Sequence, residues 1–274
     1  MSKINQNKRN SVTDIMAHKG GEPVVCLTAY SAPMAVLLDP HVDVLLVGDS
    51  VGMVLYGMDS TLGVSLDMMI NHGKAVVSAS SHALVVIDMP FGSYEESFEQ
   101  AFRNCANVMA QTGAQAIKLE GGVEMAPTIK FLVERGIPVM AHVGLKPQSV
   151  NTHGGFKAQG RKKSQWAALL ADAKAVDKAG AFATVIESVA EPLAVKMTSQ
   201  VSNITIGIGA SSKCDGQIVV SEDMLGYNAW SPKFVKQYGD VASVITNAVE
   251  DYAKDVKKRS FPYKENTFSM KKKT

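Results

Sequence analysis

The 274-residue chain is 46% hydrophobic and 20% charged, an ordinary globular balance that excludes a disordered or collagen-like protein. Its 28 Lys and Arg against 26 Asp and Glu leave a net charge of +2, which argues against a nucleic-acid binder or a membrane-surface protein. A small molecule or another protein is the expected partner.

Cys26, Cys105 and Cys214 lie far apart with no CxxC spacing, so neither a disulfide framework nor a structural zinc site is expected. No stretch reaches the roughly 18 apolar residues of a membrane span. The segment from Met1 to Val12 is polar and lacks the apolar run of a secretion signal. The expected location is the cytoplasm. One domain covering 1–274 is expected, with a polar leading segment of about ten residues. The lysines at 271–273 read as a solvated basic tail.

Short apolar runs follow one another along the chain. They are 24–27, 42–47, 84–87, 114–117, 137–140, 182–186 and 204–208, and most are rich in β-branched residues and bounded by Gly or Pro. Runs of this kind suit parallel strands buried on both faces. Between them lie segments of helical periodicity at 95–111, 125–135 and 166–178, with a last one at 240–258. A weak eighth strand is expected at Met224-Leu225-Gly226. Eight such units in about 250 residues match an α/β fold of the (β/α)8 barrel type. A doubly wound sheet stays open, because periodicity does not close a barrel. Residues 49–66 and 143–165 form long Gly-rich connections, which usually carry function.

The residues that end the runs carry the chemistry. The second ends in Gly48-Asp49-Ser50, the third in Asp88, the fourth in Lys118-Leu119-Glu120, and the sixth in Glu187, while the fifth strand contains His142. In a parallel barrel these ends share the rim where such enzymes work. Lys118 and Glu120 are two apart and therefore share a strand face. Singly, each could be a helix cap or a solvated charge; six on consecutive strands favour a site. Converging carboxylates need a cation, and Mg²⁺, held by one or two carboxylates, fits; neutralisation by Lys118 alone is the alternative.

Other motifs are weaker. Gly48-Asp49-Ser50-Val51-Gly52 matches GxSxG, but the nucleophile elbow needs a helix directly after the serine, and turn residues follow here. Gly207-Ile208-Gly209 reads as a tight turn and His153-Gly154-Gly155 as a substrate loop. His18, His41, His72 and His82 read as structural or surface residues.

At these residues the sequence closely resembles the ketopantoate hydroxymethyltransferase family. The matching segments include Leu27-Thr28-Ala29-Tyr30, Val47-Gly48-Asp49-Ser50-Val51-Gly52-Met53, Asp59-Ser60-Thr61-Leu62 and Asp88-Met89-Pro90-Phe91. Ile117-Lys118-Leu119-Glu120-Gly121-Gly122, His142-Val143-Gly144-Leu145, Pro147-Gln148-Ser149-Val150-Asn151 and Asp215-Gly216-Gln217-Ile218 continue the match in order. It spans roughly residues 10–268, and the motifs are specific in combination rather than singly. Two departures stand out: Ser31-Ala32-Pro33, where an aspartate often follows the tyrosine, and Ser211-Ser212, where glycine is usual.

The resemblance implies a (β/α)8 TIM barrel of the phosphoenolpyruvate mutase type. It implies hydroxymethyl transfer from 5,10-methylenetetrahydrofolate to 3-methyl-2-oxobutanoate, giving 2-dehydropantoate for pantothenate synthesis. It places metal ligands on Asp49 and Asp88, with Glu120 close by or binding through water. It places substrate contacts on Asp49, Ser50, Asp88, Lys118 and His142, and the general base on Glu187. It also implies a homodecamer, a pentamer of dimers. The residues suit that chemistry: a 2-oxo acid chelated by Mg²⁺ would lose its C3 proton to Glu187, and the enolate would attack a methylene group delivered by the folate. Lys or Arg on the outer loops should meet the acidic folate tail. A carbon–carbon lyase of the same barrel type is the competing reading, but no lid cysteine follows Glu120. A serine hydrolase and a non-catalytic binding barrel rank below it.

Overall fold

The computed structural model describes residues 9–228 and 230–270. The polar leading segment and the basic tail fall almost wholly outside them. Two compact units divide the chain: one runs to Ser221 and the second begins at Glu222.

The first unit holds a closed parallel barrel in which eight strands pair in sequence order. The strands are β1 (Val24–Thr28), β2 (Val44–Val47), β3 (Leu84–Asp88), β4 (Ala116–Glu120), β5 (Val139–Gly144), β6 (Ala183–Glu187), β7 (Ile204–Ile208) and β8 (Gly216–Val219). β8 returns to pair with β1, which closes the ring. The doubly wound alternative is thereby excluded.

The eighth strand is not where the sequence suggested. Met224 ends a one-turn helix, and the strand lies at Gly216–Val219. Its signal is weak because Gly216 and the exposed Gln217 interrupt the apolar run. Glycine is required there, since a Cβ at 216 would lie 2.5 Å from the Val24 carbonyl oxygen.

Before β1 runs α1 (Val12–Met16). The crossovers are α2 (Ala32–Leu38), α3 (Val51–Val54) with α4 (Leu66–Ala79), α5 (Phe98–Thr112), α6 (Ala126–Val133), α7 (Val150–His153) with α8 (Trp166–Lys178), and α9 (Glu191–Thr198). Strand β7 runs into β8 through residues 209–215 without a helix. Of the helices longer than five residues, α2, α4 and α9 went unread in the sequence. In α4, Met69, Ile70, Gly73 and Val76 form a helically spaced buried stripe, but its glycine carries no apolar side chain and the polar Asn71 and His72 stand between its members. Caps set the boundaries elsewhere. Ser97 accepts from Gln100 N to start α5, and Gly113 ends it at φ 78°.

Strand alternation fills the barrel and builds its mouth with the same phase. Alternate residues Val24 and Cys26, Val44 and Leu46, Leu84 and Val86, Met140, Ala183 and Val185, Ile204 and Ile206 make one buried cluster. Two residues on in that phase come Asp88, Glu187 and His142. Ala116 begins the same phase on β4, followed by Lys118 and Glu120. The apolar plug thus becomes a polar floor where the strands end.

The second unit holds the rest of α10 (Ser221–Met224) and the long α11 (Val241–Lys257). Asp240 caps α11 through Ser243 N, and the Tyr263 hydroxyl donates to Asp255 Oδ2 at 3.0 Å.

Candidate active site

Five of the six strand-end groups meet at the barrel mouth, and Asp49 joins them from the turn after β2. Asp49 is out of phase with Val44 and Leu46, so the turn brings it in: its backbone N donates to Asp88 Oδ2 at 3.1 Å. The strand register sets the rest. Asp88 lies beside Lys118, Glu120 beside His142, and Gly144 beside Glu187.

Asp49, Asp88, Lys118, Glu120 and His142 are all buried. Lys118 Nζ donates to Asp88 Oδ1 at 2.6 Å. Burial opposes the lysine charge, but Asp88, Glu120 and Asp49 outweigh it and hold the pKa above the usual lysine value. Burial, with repulsion from Asp88, pushes the Asp49 pKa up against the pull of Lys118 and Gln148. Burial likewise lifts Glu120 well above the ordinary carboxylate range, with Lys118 opposing. One lysine therefore does not balance this floor of acids.

His142 stands between two glutamates. Its Nδ1 lies 3.6 Å from Glu120 Oε1 and its Nε2 lies 3.3 Å from Glu187 Oε2. Neither contact has hydrogen-bond geometry, so both ring nitrogens are buried without a protein partner. Burial and Lys118 lower the His142 pKa, so the ring is neutral near pH 7. Glu187 ends β6 at the half-open edge of the cluster. Ser188 follows it at φ 50°, a left-handed conformation that costs a serine on the order of 1 kcal/mol or more.

Ser50 precedes the one-turn helix α3, and its hydroxyl lies 2.8 Å from the Tyr30 hydroxyl. No histidine pairs with it among the described contacts, and only four residues of helix follow, so the hydrolase reading loses its base and its elbow. The thiols of Cys26, Cys105 and Cys214 are all buried, and none stands as the lid cysteine of the lyase reading. The two departures have local roles. Ser31 caps α2 through Met34 N, and the Ser211 hydroxyl accepts from Lys213 N at 3.1 Å. His72 proves structural, with Nδ1 2.6 Å from the Tyr30 carbonyl and Nε2 3.0 Å from the Tyr56 hydroxyl.

Three site residues were missed in the sequence. Gln148 lies buried in the 3-10 turn Pro147–Ser149 after β5, and its Nε2 donates to Asp49 Oδ2 at 2.9 Å. The buried Tyr94 hydroxyl donates to Gln148 Oε1 at 2.5 Å. Thr61 is buried beside Asp49, and its hydroxyl has no well-aligned partner. All three come from loops, where no periodicity tells an inward side chain from an outward one. The available signal was a large polar residue directly behind an apolar strand and before a turn, as at Gln148.

The model of the family described as ketopantoate hydroxymethyltransferase matches residues 9–264. A protein of Paramagnetospirillum magneticum named 3-methyl-2-oxobutanoate hydroxymethyltransferase is 60% identical over 267 residues, 97% of each chain. One of the same name from Rhodospirillum centenum is 60% identical over 273 residues, 99% of each chain. Among solved structures, a phosphonopyruvate hydrolase in complex with oxalate and Mg²⁺ matches at TM-score 0.59 and 13% identity, covering 95% of this chain and 93% of its own. A 2,3-dimethylmalate lyase of the phosphoenolpyruvate mutase/isocitrate lyase superfamily matches at TM-score 0.58 and 14% identity, over 96% of this chain and 90% of that one. At such identities the two structures speak to the fold alone.

Proposed function

The chain belongs to the ketopantoate hydroxymethyltransferase family, and we propose that the polar floor of its barrel carries the family reaction. The enzyme is a 3-methyl-2-oxobutanoate hydroxymethyltransferase, forming 2-dehydropantoate for pantothenate biosynthesis. The one-carbon donor assigned here is 5,10-methylenetetrahydrofolate.

The donor set fits a hard divalent cation. It offers carboxylate oxygens, buried, in excess over the single lysine. Asp49 and Asp88 would hold Mg²⁺, with Glu120 close by or bound through water. Among the described residues no three His, Cys, Asp or Glu side chains already form a metal cluster. Magnesium takes one or two carboxylates and keeps several waters, so the pair Asp49 and Asp88 is enough protein ligation for it. When bound, Mg²⁺ would supply Lewis-acid polarisation of the substrate's keto oxygen.

The protein's own groups do the rest. Lys118 and Ser50 hold the substrate carboxylate, Lys118 by charge and Ser50 by its hydroxyl. Neutral His142, whose ring nitrogens have no protein hydrogen-bond partner, donates its N–H toward the substrate. Glu187 takes the C3 proton, the half-open position leaving it reachable from the mouth. The carbon thus activated bonds to the one-carbon unit of the folate, and one water is consumed overall.

The observation that carries this reading is the shared phase of Asp88, Lys118, Glu120, His142 and Glu187 above the apolar plug. Its test is Glu187→Gln, which keeps the side chain's shape and removes its basicity. The variant should fold and bind substrate, yet lose exchange of the C3 proton with D₂O by roughly 10²–10⁴-fold, the range a positioned base contributes. Exchange at the normal rate would assign the proton to another group.

The same reading includes a homodecamer in the cytoplasm, a pentamer of dimers. Exposed Val36 and Leu37 on α2 support self-association. Sedimentation as a 29.3 kDa species would overturn it.

A further inference from the structure

Gln148 touches more of the polar floor than any other loop residue described above. Its backbone N donates to Glu120 Oε2 at 3.0 Å. Its side-chain Nε2 donates both to Asp49 Oδ2 and to the Met89 carbonyl, each at 2.9 Å. The Tyr94 hydroxyl, which itself accepts from Glu120 N at 3.2 Å, donates to Gln148 Oε1 at 2.5 Å. One residue behind β5 therefore ties together the ends of β2, β3 and β4.

Donor and acceptor chemistry fixes the amide's orientation. A carboxylate and a carbonyl can only accept, so both must face the NH₂ group. The phenol's single proton then goes to Oε1. Flipping the amide would set its oxygen against two acceptors, the Asp49 carboxylate and the Met89 carbonyl. The network is closed, with both amide hydrogens used and no charge added.

This closure has a consequence for Asp49. A carboxylate on a short side chain can rotate and offer either oxygen. With Oδ2 held by Gln148, rotation is blocked and Oδ1 is left for a ligand. Glu120 is held through Oε2 by the Gln148 backbone N–H, a bond that any residue at 148 other than proline supplies. Asp88 is set independently, by Lys118 and by Asp49 N.

We propose that the Gln148 side chain is a positioning residue for the cation and the 2-oxo acid, fixing which carboxylate oxygen of Asp49 faces the barrel mouth. It touches neither reactant. The inference rests on the assignment of Asp49 to the metal made above. It also explains why a neutral amide stands where a buried lysine would have balanced the charge: a second lysine would compete with the cation for Asp49.

The test is Mn²⁺ binding to the intact protein, read by calorimetry and by the Mn²⁺ spin-resonance signal without substrate. Gln148→Met keeps length and removes every side-chain hydrogen bond. Its Mn²⁺ affinity should fall about 10–100-fold, as for outer partners of metal ligands. A merely structural role would instead lower the melting temperature while the folded protein bound Mn²⁺ as wild type does, and that result would overturn the proposal. Should Gln148→Met not fold, Tyr94→Phe serves, because it removes only the hydroxyl that orients the amide. It should weaken Mn²⁺ binding in the same direction by a smaller factor, and unchanged affinity would count against the proposal. Where both fold, the double variant should be no worse than Gln148→Met, and additive losses would sink the shared network. Wild-type protein that binds no Mn²⁺ would refute the metal site itself, an outcome distinct from equal binding by wild type and variants.

Discussion

Lys118 Nζ donates to Asp88 Oδ1 at 2.6 Å inside the barrel mouth, with both side chains buried. The pair joins neighbouring strands at matched register. Removing the lysine leaves Asp88, Asp49 and Glu120 without their one cation. Lys118→Met should therefore lower the stability of metal-free protein by about 3–5 kcal/mol, the usual cost of breaking a buried pair on one side. Added Mg²⁺ should recover more stability in the variant than in wild type. Urea titration with and without Mg²⁺ measures both, and a variant as stable as wild type in chelator would show that the lysine charge contributes nothing to holding these carboxylates.

Asp49 and Asp88 should control the metal. Chelation should abolish turnover and Mg²⁺ should restore it. Asp49→Ala and Asp88→Ala should each remove most binding of metal and of 2-oxo acid, measured by calorimetry. Normal binding of both by either variant would return that aspartate to a cap or a spacer role.

The sequence made the chemistry at β3 to β6 legible for a physical reason. On a strand, inward residues recur every second position, so Asp88, Lys118, Glu120 and Glu187 follow from the apolar phase before them. His142 lies inside β5 in the same way. The weaker parts follow the same logic. β8 lost its pattern because Gly216 must admit the Val24 carbonyl. Gln148, Tyr94 and Thr61 reach the site from loops, where neither period applies. The helix α2 is too short, at 7 residues, to display a clear stripe.

Gly144 holds Glu187 in place by having no side chain. It ends β5 at φ 97°, and a Cβ there would lie 2.4 Å from the Glu187 carbonyl oxygen and 2.7 Å from Val189 Cγ2. Gly144→Ala must push β6 outward just where the base stands. We expect a barrel that still folds, a stability loss of about 1–3 kcal/mol from the strained backbone, and a fall in both turnover and C3 proton exchange. Exchange at the wild-type rate would show that Glu187 tolerates the shift, or is not the base.

Asp39 provides a pH test away from the site. Its buried carboxylate accepts from the Ser80 hydroxyl at 2.7 Å and from the backbone N–H groups of Ser81, His82 and Ala83 at 2.8, 2.9 and 2.9 Å. These bonds fasten the end of α2 to the turn that leads into β3. Burial works against the charge, yet the four donors together hold the Asp39 pKa below the ordinary carboxylate value. A group whose pKa falls on folding binds fewer protons in the native state than in the unfolded one. Its contribution is thus complete above the unfolded pKa of about 3.9 and is lost as pH falls through that value toward the folded one. Asp39→Asn removes the charge at every pH and points an NH₂ at donors, so at pH 7 it should cost about 2–4 kcal/mol, a charged hydrogen bond or more. The gap between wild type and variant, from urea unfolding across pH, should stay flat from about pH 8 to 5 and narrow below about 4. A gap that widened on acidification would mean that Asp39 is protonated in the native state and that its donors do not hold the charge.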